Sequence, residues 1–191
     1  MPTPNILVIP GSTRAGSWNV RLAGAITKRL AEKGAVAQRI SLSDYDMPIY
    51  NGDLEEQEGP PANARKLGKL MSTCQGIVLV GPEYNGSITP LMKNTLDWLS
   101  RDLGDVKPYQ NRVFGLAACS PGALGGIRSL SHVRDVLVSI GADLITPQLA
   151  VGQASSAFNE REELSNDRHI AILDRFSDTL IGRATDYTRG S

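Results

Sequence analysis

Two short runs of the chain, Ile6–Ile9 and Ile77–Val80, are apolar at every position. Continuous apolar runs of this length mark strands buried on both faces, the usual state of interior strands in a parallel sheet. Val36, Ile40 and Leu42 instead share a period of two with Gln38 between them, which predicts a strand with one wet face at a sheet edge. Between these runs the period changes to three and four. Leu22, Ala23, Ile26 and Leu30 predict a helix stopped by Gly34, and Ala64, Leu67, Met71 and Cys74 predict a second. Thr89 and Pro90 stand as cap and first-turn proline of a third helix, on which Leu91, Thr95 and Trp98 share a face. Trp98 is expected in the core or at a subunit interface. Val113–Ala118 reads as a fourth strand, Leu130, Val133, Leu137 and Ile140 as a helix face, Ala142–Ile145 as a short fifth strand, and Leu173, Phe176 and Leu180 as the last helix. The residues from Arg189 to Ser191 are expected to fray. The stretch from Ser43 to Asn63, rich in Asp, Glu, Pro and Gly, is expected as a solvated loop in which Tyr45 and Met47 need cover.

Strands alternating with helices, the second strand at an edge, predict an α/β fold: a flavodoxin-like three-layer sandwich, its five-stranded parallel sheet ordered 2-1-3-4-5 with helices on both faces. At 191 residues with 41% hydrophobic content, residues 1–191 suit one domain with a sizeable core. Lysine plus arginine equal aspartate plus glutamate at 20 each, so no basic surplus points to nucleic acid. No apolar run approaches the ~20 residues of a membrane helix, and the opening Met1-Pro2-Thr3-Pro4 lacks a basic and apolar leader, so a cytoplasmic protein is expected. Cys74 and Cys119 sit in or beside apolar runs without Cys-x-x-Cys spacing, which predicts reduced, buried thiols. His132 and His169 show no ligand-like spacing, and no metal site or nucleophile triad is expected.

The candidate chemistry lies in the loops that follow the apolar strands. Pro10-Gly11-Ser12-Thr13-Arg14-Ala15-Gly16-Ser17-Trp18-Asn19 joins the first strand to the first helix. A loop so placed aims backbone N–H groups and a helix N-terminus at one anion, with Gly11 and Gly16 permitting close backbone approach. Ser12, Thr13 and Ser17 add hydroxyl donors and Arg14 a planar fork suited to a terminal phosphate. A nucleoside triphosphate loop requires Gly-Lys-Ser/Thr, and a dinucleotide loop three glycines in Gly-x-Gly-x-x-Gly spacing; neither is present. Hydroxyls around one arginine suit a monophosphate such as that of flavin mononucleotide (FMN), the alternative being a surface turn that binds nothing. A second loop, Pro82-Glu83-Tyr84-Asn85-Gly86-Ser87, leaves the Gly76–Gly81 run on the same sheet edge, where open α/β sheets bind ligands.

Together with Leu91-Lys93-Asn94, Asp97-Trp98 and Ser120-Pro121-Gly122 with Gly125-Gly126, these loops resemble the NAD(P)H-dependent FMN reductase family, over most of the chain to about residue 150. The resemblance implies that Ser12, Arg14, Ser17 and Asn19, with Trp18 beside them, hold the FMN phosphate. Pro82, Glu83, Tyr84, Asn85 and Gly86 would border the isoalloxazine ring, and Ser120, Gly122 and Gly126 its other side. Two alternatives stay open. Tyr84 is either a ring contact or an aromatic at a turn or subunit contact, and Glu83 either borders the ring, faces solvent or caps a neighbouring helix. Gly86 is the position expected to need positive φ.

The resemblance further implies hydride transfer from NADPH or NADH to FMN, then two-electron reduction of a quinone, flavin, azo compound or metal ion. It implies a homodimer or homotetramer, with no side chain acting as acid or base. An FMN electron carrier of the flavodoxin type, which takes no hydride directly, is the alternative. Its phosphate loop usually lacks an arginine at the position of Arg14, and such carriers are usually acidic. A scaffold that has lost its cofactor conflicts with intact donors in both loops.

Overall fold

The computed structural model describes residues 3–189. Five parallel strands form one sheet in the order β2-β1-β3-β4-β5, with β1 at Asn5–Pro10, β2 at Val36–Arg39, β3 at Gly76–Val80, β4 at Val113–Cys119 and β5 at Asp143–Val151. The predicted order is the one observed. The fully apolar strands are interior, and their alternate side chains feed two separate cores. Ile6, Val8, Val78 and Val80 face α1 (Trp18–Glu32) and α6 (Asp167–Arg189), packing with Leu22, Ile26, Leu30, Phe176 and Leu180. Leu7, Ile9, Ile77 and Leu79 face the opposite layer of α3 (Ala62–Ser72), α4 (Pro90–Leu99) and α5 (Ile127–Ser139), meeting Leu67, Met71, Trp98, Leu130 and Leu137. A strand between two helical layers must be apolar on both sides, and β1 and β3 are.

Local sequence explains several joints. Thr89 caps α4 by accepting from the Met92 N–H at 3.2 Å, and Pro90 fills the first turn. Trp98 lies fully inside the second core and donates its indole N–H to the Pro48 carbonyl at 2.7 Å. Gly115 on β4 makes room for Phe176, whose Cζ would stand 2.5 Å from a Cβ there.

The structure corrects three expectations. The stretch from Ser43 to Asn63 is not a plain loop. Leu42–Tyr45 forms a 3-10 turn, and Gly52–Glu58 forms helix α2, capped by Asn51, whose side-chain Oδ1 accepts from Asp53 N–H at 2.8 Å. Tyr45 is buried, and Tyr50 packs edge-on to Trp98 at 5.0 Å. β2 ends at Arg39, so Ile40 and Leu42 follow it, and Val36 is 57% exposed because α1 packs against the opposite face of that edge strand. β5 is longer than expected and contains Pro147. Its register jumps from Phe114↔Leu144 to Leu116↔Gln148, and this irregularity, on an edge strand, absorbs the missing N–H. Helix α6 holds to Arg189, and the rest of the expected frayed end lies outside the described residues.

Candidate functional site

A cleft of about 140 Å³ at the carboxyl edge of the sheet is lined by Arg14, Ser17, Trp18, Asn19, Pro82, Glu83, Tyr84, Cys119, Ser120 and Pro121. Three loops, after β1, β3 and β4, thus meet at one place. A larger hollow of about 510 Å³ lies between the ends of α4 and α5 and the approach to β4, lined by Arg101, Lys107 and Tyr109 among others. It opens away from these loops, on the side where β4 begins, and holds none of the candidate site residues named from the sequence.

The loop after β1 leaves an anion site open. Ser17 is the N-cap of α1, yet its side chain makes no cap hydrogen bond, and no acidic residue stands in the first turn. The leading N–H groups and the positive end of the helix dipole therefore face the cleft uncompensated. The Ser17 and Ser12 side chains are buried there, and Ser12 Oγ accepts from Arg14 N–H at 3.3 Å. Arg14 is exposed, and its guanidinium has no partner among the described residues. Thr13 is exposed beside it. Gly16 has φ +68, and Gly11 lets α4 approach, since a Cβ there would stand 2.8 Å from Met92 Cε.

Asn19 points at the end of β4. Its Nδ2 donates to the Cys119 carbonyl at 2.8 Å and its Oδ1 accepts from Cys119 N–H at 2.9 Å, so its amide staples α1 to the strand. Trp18 stacks near-parallel on Phe158 with centroids 6.3 Å apart, and the Arg21 guanidinium sits 4.8 Å from each ring centroid while pairing with Glu162. The spacing of Trp18 and Arg21 is a visible sequence signal for this stack; Phe158 is not. Burial pushes the Cys119 thiol up to about 12, against the opposing charge of Arg21.

In the loop after β3, Pro82 is buried and Tyr84 is 49% exposed. Tyr84 and Ser87 exchange both backbone hydrogen bonds at 3.0 Å around Asn85 (φ 51) and Gly86 (φ 77), a two-residue turn with both central residues left-handed. Glu83 caps a neighbouring helix: its carboxylate accepts from the backbone N–H and the Nη1 of Arg128, each at 3.1 Å. In the loop after β4, Ser120 Oγ accepts from Gly122 N–H at 3.1 Å. Gly122 is exposed and its carbonyl accepts from Gly125 and Gln153 N–H. Gly126 is buried at φ 87, with Ala118 Cβ 2.8 Å from where a Cβ would be, so it serves the close packing of α5 on β4. Arg112 has no counterpart in the sequence reading. It is 5% exposed and donates to the carbonyls of Met71, Cys74 (3.0 Å), Lys107 (3.2 Å) and Gln110 (2.8 Å).

The donor set fits a phosphate monoester. The Ser17 hydroxyl, the unpartnered Arg14 guanidinium and the uncapped helix N-terminus share one cleft, and the two other loops wall it with Pro82, Glu83, Tyr84, Ser120 and Pro121. The volume is below the ~300–1,000 Å³ of sites that enclose a drug-sized ligand, so the cleft has room for an anionic end and one edge of such a ligand and not for the whole of it.

This sheet order defines a flavodoxin-like α/β protein with a candidate phosphate site at its carboxyl edge. The archaeal flavodoxin fold superposes with a TM-score of 0.60 at 13% identity, over 96% of this chain and 99% of that one. A family model described as NADPH-dependent FMN reductase matches residues 4–156, and the chain belongs to that family. It is 34% identical over 137 residues to the quinone reductase of Escherichia coli, covering 72% of this chain and 71% of that protein. It is 28% identical over 167 residues, 85% of each, to an NAD(P)H-dependent FMN reductase of Pseudomonas aeruginosa. In fold it resembles the flavoenzyme NAD(P)H:(acceptor) oxidoreductase FerB of Paracoccus denitrificans, with a TM-score of 0.81, 21% identity, and 97% and 99% of the two chains covered.

Proposed function

We propose that the chain is an FMN-dependent NAD(P)H:acceptor oxidoreductase whose acceptor is a quinone or a flavin, with azo compounds and metal ions as further candidates. The observation that carries this is the open, uncapped start of α1 beside the unpartnered Arg14, in a family of FMN reductases. Ser12, Arg14, Ser17 and the first N–H groups of α1 hold the phosphate. Trp18 and Asn19 act behind them, Trp18 through its stack and Asn19 by fixing α1 to β4. Pro82, Glu83, Tyr84, Asn85 and Gly86 border the ring edge, with Ser120, Gly122 and Gly126 shaping the opposite wall. Bound FMN supplies two-electron chemistry, taking hydride from NADPH or NADH and passing electrons to the acceptor.

The chain's own contribution is to hold and to exclude. Glu83 is engaged with α5, so its carboxylate serves position rather than proton transfer. The half-exposed Tyr84 leaves the cleft mouth open to the nicotinamide and then to the acceptor, in turn at one face. Among the described residues no helix is long and apolar enough to cross a membrane. A cytoplasmic homodimer or homotetramer, formed of single-domain chains over residues 1–191, is part of the same proposal. Fluorescence titration with FMN, followed by anaerobic addition of NADPH, tests it. Tight FMN binding and flavin bleaching support an oxidoreductase; FMN bound but never reduced returns the carrier alternative.

A further inference from the structure

Helix α5 has no cap of its own. Its N-cap is Gly126, which has no side chain to accept from the first N–H groups, and no acidic residue stands in the first turn. The missing acceptor arrives from another loop, as Glu83 takes both Arg128 N–H and Arg128 Nη1 at 3.1 Å. One turn along the same face, His132 Nδ1 meets Ser87 Oγ at 2.8 Å. Residues 128 and 132 are i and i+4 and so lie one above the other. The turn from Tyr84 to Gly86 is therefore held at both ends, at Glu83 and at Ser87, by one helix face, with Arg128 Cδ 3.7 Å from where a Cβ on Gly86 would be.

The same helix continues the loop after β4. Gly126 sits so close to Ala118 that a Cβ would clash at 2.8 Å, and it lies beside Glu83, whose Cβ would be 3.8 Å away. The two loops that flank the cleft, one through Pro82, Glu83 and Tyr84 and the other through Cys119, Ser120 and Pro121, are thus fastened to a single rigid element. An exposed ion pair alone contributes little. Here the Glu83 side chain is only 14% exposed and accepts from a helix N-terminal amide as well as a guanidinium, which makes it a cap and a tether together.

We propose that Arg128 and His132 are positioning residues which, through Glu83 and Ser87, fix the turn Tyr84–Ser87 against the loop after β4 and so set the width of the ring end of the cleft. Neither lines the cleft. The effect on bound flavin rests on the FMN reading above; the fixing of the turn does not.

Hydrogen exchange in the flavin-free chain tests the tether directly. Arg128→Ala combined with His132→Ala should speed exchange of the amides at 84–88 by on the order of tenfold, while those at 12–19 keep their rates. His132→Asn, which can place an amide where Nδ1 sits, should restore protection near Ser87. With flavin bound, the double variant should change the reduction potential of riboflavin and of FMN alike, because the altered contacts lie at the ring rather than the phosphate. Unchanged exchange at 84–88, or acceleration spread equally over the chain, overturns the proposal. A parent protein that binds no flavin yet shows the local exchange change refutes the FMN reading and leaves the tether standing.

Discussion

Replacing Arg14 by alanine removes one charge from the phosphate end of the cleft and leaves the fold intact, since the side chain is exposed and bonds nothing among the described residues. The loss therefore appears in binding. A hydrogen bond to a charged group contributes about 1.5–3 kcal/mol, and each ~1.4 kcal/mol is tenfold, so the dissociation constant for FMN should rise roughly 10- to 100-fold. The exposure of Arg14 sets the salt dependence. At about 1 M ionic strength, where the screening length falls to ~3 Å, the gap between parent and variant should narrow. Lowering the pH below about 6 should narrow it too, as a phosphate monoester loses its second charge. Riboflavin, which lacks the phosphate, supplies the control. Flavin-fluorescence titration should show parent and variant binding riboflavin equally while separating on FMN. Equal FMN affinity, or equal losses for FMN and riboflavin, would remove Arg14 from the phosphate site.

The remaining predictions concern the walls and the core. Glu83→Gln keeps an acceptor for Arg128 N–H, so stopped-flow reduction of bound flavin by NADPH should stay within about tenfold of the parent, below the ~100-fold a general acid or base contributes; a larger loss would make the carboxylate catalytic. Arg112→Ala strands the carbonyl of Cys74 without a donor, while Met71 keeps the Cys74 N–H at 3.1 Å, and at ~1–3 kcal/mol for an unsatisfied buried group should lower stability by about 2 kcal/mol in urea unfolding. Arg112→Lys, with no planar fork, should recover little of it. Burial raises both thiols, Cys119 to about 12, so neither should react with a thiol reagent in the native protein at pH 8, and both should after denaturation. The usual value is 9.0, so the unfolded thiol ionises first, and the Cys119 contribution to stability should fall as pH climbs from about 9 toward 12. Prompt native labelling would contradict this burial.

What could be read from the chain alone follows from how local its causes are. Ile6–Ile9 and Ile77–Val80 announce interior strands because burial between two layers constrains every position, and Thr89-Pro90 announces a helix start because its cap is made within four residues. The loop after β1 stood out as a candidate anion site for the same reason: its hydroxyls, arginine and helix N-terminus are contiguous. What stayed hidden depends on partners far along the chain. β5 runs on through Pro147, which cannot donate to a ladder, and only pairing with β4 shows where the register jumps to admit it. Helix α2 is short and polar, with no buried residue to give it a period. For Asn19 the family resemblance implied a place at the phosphate, and the engagement of its side-chain amide by Cys119, 100 positions away, has no signal in the sequence. Glu83 kept several alternatives open until Arg128 was placed beside it.

The visible spectrum of the purified protein, loaded with FMN and mixed anaerobically with NADPH, is the most direct measurement. The site described here predicts that FMN is retained through gel filtration and that its visible band bleaches within seconds. Failure to retain any flavin would contradict the phosphate cradle itself, and retained FMN that stays oxidised with both NADPH and NADH would contradict the assignment of reductase activity.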